Sequence, residues 1–279
     1  MPGRDAKAVS GAGSAVPSPL HDYLCTPFDA LGKTRDVYRT GSGPAVIVIS
    51  EIPGITPKMA NFGRRVSSIG CTALLPHLFG APGAEPTVAN SLRVVAQVCI
   101  SREFSTLARG RTSPVTVWLR ALAQAAHSEC GGPGVGVIGM CLTGGFALAM
   151  MVDEIVLAPV LSQPSLPLPL GAERKSDLGV SDSDLARARQ RCEDENLCVL
   201  GLRFSGDKGS PAERFRRLRA ELGDHFVGVE IDSSAGNPEG YRRAAHSVLT
   251  EDLRDEPGSA TRAALDQVLE LFRSRLLPP

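Results

Sequence analysis

Residues 134–145 read GVGVIGMCLTGG, and the meaning of this stretch decides the fold. Val135, Val137 and Ile138 form a short apolar run, Cys141 follows it, and FALAM (146–150) continues as an apolar segment of helical character. Residues 134–139 match G-x-G-x-x-G, the pattern of a dinucleotide-binding turn. That turn needs its strand before the glycines, so that backbone amides meet the pyrophosphate at the start of the next helix. Here the run between the glycines is itself the strand, which argues against a nucleotide site. A nucleophile elbow fits the order better: a strand, a sharp turn presenting the reactive side chain, then a helix, with small neighbours that allow the turn. Gly139 stands two residues before Cys141, whereas the usual glycine two residues after it is Thr143, followed by Gly144 and Gly145. Free cysteine is also among the most buried residue types, so this stretch alone serves a structural core cysteine as well as a nucleophile. A helix starting at Leu142 would favour a thiolate through its N-terminal dipole and offer amides to an oxyanion.

Outward from the elbow the chain alternates. Short apolar runs at 44–50, 73–75, 154–162, 197–205 and 225–232 resemble 134–140 and read as strands buried on both faces. Helical patterns lie between and after them at 58–69, 87–107, 114–130, 142–152, 182–194, 211–222 and 242–253, and an amphipathic segment at 258–277 closes the chain. Alternation of this kind predicts an α/β fold, a mainly parallel, doubly wound sheet with helices on both faces. The proline-rich stretch 162–182 has no clear period and reads as a long loop, with a substrate lid as one role for it. Residues 1–20 are small and rich in Pro, Gly and Ser, without the apolar core of a signal peptide, and are expected to form a flexible tail before one domain spanning 21–279.

The 279 residues carry 30 basic and 30 acidic side chains, so the basic footprint of a nucleic-acid or membrane-surface binder is missing. No apolar run approaches the ~20 residues that span a bilayer. Seven cysteines show no C-x-x-C and no zinc-ligand spacing with histidine, and their odd number fits a disulfide framework poorly. The expectation is a cytoplasmic protein with reduced thiols and a small-molecule substrate, without nucleic acid, membrane, metal or organic cofactor, as a monomer or small homo-oligomer.

A cysteine nucleophile needs a base, and the base an orienting group. Downstream of Cys141 stand His225 and His246. His225 begins a strand, at the end away from such sites; His246 follows the last strand by a loop and is the better placed base. Asp207 follows the strand at 197–205 and supplies a carboxylate at a strand C-terminus. Glu51 likewise follows the strand at 44–50, where burial beside the thiol would raise its pKa and make it a more competent base. Individually, Asp207 reads as a turn former, His246 as a surface histidine and Glu51 as a loop acid before a helix. Together they have the chemistry, order and strand-end placement of a site.

At this point VIVISEIPGITP (46–57), GVIGMCLTGGFALAM (136–150), FSGDKGSPAERF (204–215) and AAHSVL (244–249) together resemble the dienelactone hydrolase family of α/β-hydrolases over roughly residues 40–275. The resemblance implies an α/β-hydrolase fold. It also implies Cys141 as nucleophile, His246 as base, Asp207 as its orienter, Glu51 as an extra acid, and the N–H groups of Ile52 and Leu142 as an oxyanion hole. Family members that act on anionic dienelactones bind the substrate carboxylate with arginines, one of them four residues after the histidine. That place is Thr250 here. Arg102, Arg109 and Arg111 in SREFSTLARGR are candidates for the missing charge, with Arg102 taken as the substrate-binding residue. The chemistry so implied is hydrolysis of a small ester or lactone through a Cys-His-Asp triad and a covalent thioester. The same fold acting on another ester or thioester is one rival, and a non-catalytic or thiol redox-sensing relative is another. Nucleotide binding ranks last.

Overall fold

A computed structural model describes residues 18–101, 103–104, 110–167 and 171–278, with the side chains of Cys99 and Ile100 left aside. Most of the expected tail, and with it Arg102 and Arg109, lies outside the described residues. The strands are β1 (Leu24–Ala30), β2 (Lys33–Gly41), β3 (Ala45–Ile49), β4 (Thr72–Pro76), β5 (Val135–Met140), β6 (Val156–Ser162), β7 (Val199–Phe204) and β8 (Phe226–Ile231). The helices are α1 (Pro57–Ser68), α2 (Val88–Ile100), α3 (Val115–Cys130), α4 (Gly144–Met150), α5 (Gly171–Ser176), α6 (Asp182–Glu195), α7 (Ala212–Leu222) and α8 (Ala260–Leu276). One sheet runs β1-β2-β4-β3-β5-β6-β7-β8, with β2 antiparallel to both β1 and β4 and every other pair parallel.

Each residue of β3 is buried, and its alternate side chains enter different cores. Ile47 and Ile49 belong to one core with Trp118 and Leu119 of α3 and Leu185 of α6, whereas Val46 and Val48 belong to a second core with Phe62 of α1 and Val268 and Phe272 of α8. An all-apolar strand is therefore the expected composition of a sheet covered on both faces. Chain order passes from β4 on one side of β3 to β5 on the other, which makes the C-terminal ends of β3 and β5 a topological switch point, where clefts of open α/β sheets form.

The structure corrects the sequence reading in four places. The hairpin of β1 and β2 is absent from the predicted strands: KTRDVYRTG is rich in polar side chains and only Val37 of it is buried, so it lacks a buried run. The helix expected at 87–107 ends at Ile100, with Ser101 as its cap. The expected loop at 162–182 contains the short α5. The helix expected over 242–253 is a succession of turns. Its apolar residues Ala245, Val248 and Leu249 do enter the core, as the periodicity requires. The Asp252 carboxylate, however, takes the backbone N–H groups of His246 (2.8 Å) and Ser247 (3.1 Å), which a helix would direct to carbonyls one turn back. Among the described residues no helix is long and apolar enough to cross a membrane.

Candidate active site

Parallel register brings the strand ends together. Ile49 of β3 stands beside Gly139 of β5, Met140 beside Ser162 of β6, and Ser162 beside Leu202 of β7. Glu51, Cys141, Gln163 and Asp207 thus all emerge at one edge of the sheet, one to three residues beyond their strands.

Cys141 has φ 56°, in the left-handed region that non-glycine residues rarely occupy, and opens a 3-10 turn (Cys141–Thr143) that continues into α4. Gly139 makes the turn possible, because a Cβ there would lie 2.0 Å from the Thr143 carbonyl oxygen. Gly136 and Gly139 lie inside β5, so two of the three glycines of the apparent dinucleotide motif belong to a strand, and Gly134 precedes it. Thr143, which interrupts the expected glycine pattern, is fully buried and fastens the elbow. Its hydroxyl accepts from the Met140 N–H at 2.9 Å and has the carbonyls of Met140 (2.9 Å) and Ile49 (3.1 Å) as acceptors. The elbow is thereby tied to the end of β3. Leu142 follows Cys141 in the first turn, where helical N–H groups have no intrahelical partner. Ile52 lies just past β3, half-buried against the same core as Leu142.

His246 meets Asp207 through Nδ1, 2.6 Å from Oδ2. A carboxylate only accepts, so Nδ1 carries the proton and Nε2 is left free, with Cys141 close enough to act on the charge of the imidazole. The second Asp207 oxygen accepts from the Gly209 N–H at 2.8 Å, which fixes the carboxylate of this buried residue. Burial disfavours the imidazolium, but Cys141 and Asp207 outweigh burial and raise the His246 pKa well above its ordinary value. His225 sits before β8, with Nδ1 3.1 Å from the Leu197 carbonyl, at the opposite end of the sheet as the sequence suggested.

Glu51 is buried at the same edge, and its three hydrogen bonds come from neutral groups. Oε2 accepts from Ser247 Oγ (2.7 Å) and Gln163 Nε2 (3.1 Å), and Oε1 accepts from Thr250 Oγ1. Burial pushes the Glu51 pKa up, against the opposing pull of His246 and these donors. The carboxylate is therefore engaged with the His246 segment and Gln163. Ser247 and Gln163 escaped the sequence reading, because nothing local distinguishes them. Thr250 is buried and turned to Glu51. Arg111 is exposed. Among the described residues no group of three or more His, Cys, Asp or Glu is placed to hold a metal ion.

This architecture is shared with known proteins. The dienelactone hydrolase of Anabaena variabilis superposes with a TM-score of 0.58 at 15% identity, covering 91% of this chain and 98% of its own. A dienelactone hydrolase-like promiscuous phosphotriesterase from metagenomic libraries gives 0.57 at 15% identity over 91% and 98%. Est1E from Butyrivibrio proteoclasticus gives 0.52 at 12% identity over 90% and 98%. At these identities the likeness is one of fold. No curated protein matches the chain. The model of the dienelactone hydrolase family matches residues 33–276, which includes every strand from β2 to β8 and all of the candidate site residues. The chain belongs to the dienelactone hydrolase family of carboxylic ester hydrolases.

Proposed function

We propose that the protein hydrolyses a small carboxylic ester or lactone through a thioester on Cys141. The observation that carries this reading is a left-handed cysteine at a strand-to-helix elbow facing a histidine whose other nitrogen is 2.6 Å from a buried aspartate. His246 Nε2 takes the Cys141 proton, and the thiolate attacks the carbonyl carbon. The N–H groups of Ile52 and Leu142 receive the charge that develops on oxygen. As the tetrahedral adduct collapses, the C–O bond breaks and the imidazolium protonates the departing alkoxide, leaving an acyl thioester. Water, deprotonated by Nε2, then attacks the thioester, and the acid leaves as the thiolate recovers its proton. Asp207 holds the tautomer throughout and stabilises the imidazolium. A thiolate leaves a tetrahedral intermediate more readily than an amine does, which favours esters and lactones over amides.

The test compares wild type with Cys141→Ala on p-nitrophenyl acetate and on a dienelactone. The wild type is expected to turn over at least one of them, and the variant to lose that turnover. Equal rates in the two proteins would overturn the reading.

A further inference from the structure

We infer that Arg214 is a positioning residue for this site, a buried cation that holds the segments around Cys141 and Asp207 in place and by its charge keeps the Cys141 sulfur reactive. The inference rests on the reading of Cys141 as the reactive thiol.

Arg214 lies in α7, away from the strand ends in sequence, and is 1% exposed. Its guanidinium donates to four backbone carbonyls: Nε to Asp177 (2.6 Å), Nη1 to Pro164 (2.6 Å) and Gly209 (3.1 Å), and Nη2 to Arg174 (3.2 Å). Among the described residues no carboxylate oxygen forms an ion pair with it. Two of these acceptors, Pro164 and Gly209, border the site. Pro164 precedes Ser165, whose N–H donates to the Cys141 carbonyl at 2.8 Å, and follows Gln163, which holds Glu51. Gly209 is the residue whose N–H fixes Asp207. Arg174 and Asp177 lie in and just after α5, so one side chain clamps both shoulders of the 162–182 segment to the Asp207 loop.

Backbone carbonyls can be satisfied by neutral donors, and a charge without a paired carboxylate is costly to bury. The charge itself therefore asks for a role. Burial brings the Arg214 pKa down to about 10, so the group stays cationic at neutral pH, and the acids facing it are Asp177, Asp207 and Cys141. On the site side, His246 faces Cys141 and Asp207, and Glu51 faces His246. When the thiolate and imidazolium form, their charges cancel, and Asp207, joined by Glu51 when ionised, is left in excess. Arg214 is the further cation held against the Asp207 loop, through the Gly209 carbonyl.

The experiment measures alkylation of individual cysteines by iodoacetamide at pH 7 in the intact chain, with mass spectrometry of the peptides, for wild type, Arg214→Gln and Arg214→Lys. The exposed Cys25 serves as the internal reference. Glutamine keeps a neutral donor and lysine keeps the charge. Relative to Cys25, Cys141 is expected to react about tenfold more slowly in the Gln variant and within about threefold of wild type in the Lys variant. Unchanged labelling in the Gln variant, or equal slowing in both, would overturn the inference. So would loss of the folded far-UV circular dichroism spectrum in both, which would assign Arg214 to the fold alone. Labelling needs no ester turnover, so a failure here is distinguishable from a failure of the hydrolase reading.

Discussion

Replacing Thr143 by valine tests whether the elbow depends on one hydroxyl. The two side chains have nearly the same shape, so the buried volume is kept and what disappears is the oxygen between Met140 and the end of β3. Met140 is fully buried, and its N–H would lose the 2.9 Å acceptor with no water to replace it. Leaving one buried donor unmade costs about 1–3 kcal/mol. At about 2–4 °C per kcal/mol for a chain of this size, a loss of 2 kcal/mol lowers the melting temperature by about 4–8 °C. The bond also anchors the turn that forces Cys141 to φ 56°, so esterase activity is expected to fall further than stability alone explains. Thermal unfolding by circular dichroism and p-nitrophenyl acetate turnover at a temperature where both proteins are folded separate the two effects. Thr143→Ser restores the oxygen and should recover most of both. A valine variant that melts within about 1 °C of wild type and retains its rate would refute the claim that this hydroxyl carries the elbow.

Two further perturbations act through charge. Glu51 has its folded pKa raised above the reference of 4.5 by burial, so between those values the folded protein keeps a proton that the unfolded chain has released, and stability falls as pH rises through that window. Glu51→Gln removes this slope: urea midpoints at pH 5 and pH 8 should shift in favour of the variant at the higher pH, and a difference that stays constant contradicts the argument. Asp252 behaves in the opposite sense. Its burial raises the pKa, but the N–H groups of His246 and Ser247 and the Arg242 guanidinium prevail and hold it below 3.8, so its stabilisation is present above that value and is lost as pH falls. Asp252→Ala is expected to cost about 1–3 kcal/mol at pH 7 and progressively less toward pH 3, and a pH-independent loss in urea titrations would count against this.

Most of the strands that could be read in sequence are buried along their length, and the partly exposed β8 is the exception. The strands β3 and β5 to β7 are runs of buried residues, so composition alone announces them, while β1 and β2 trade that signal for an exposed edge. The 242–253 segment shows the limit of periodicity more sharply. Its apolar spacing correctly marks the residues that face the core, yet the backbone is decided by a carboxylate at 252 competing for two N–H groups, and competition of that kind leaves no trace in hydrophobic pattern.

The candidate site divides in the same way. Cys141, Asp207 and His246 each follow a strand or its loop, and their order along the chain suffices to suggest them. The donors around Glu51 come from 112, 196 and 199 residues away, and only the register of the sheet brings them to it. Thr250 shows why this matters for specificity. Read in sequence, it is the place where a substrate-binding arginine is lacking. In the structure it is buried, with its hydroxyl on Glu51, so the same position faces inward. A cation there would pair with Glu51 and hold it ionised, whereas three neutral donors leave its charge coupled to His246. A threonine at this position therefore bears on the electrostatics around the proposed base His246 as well as on the charge offered to a substrate.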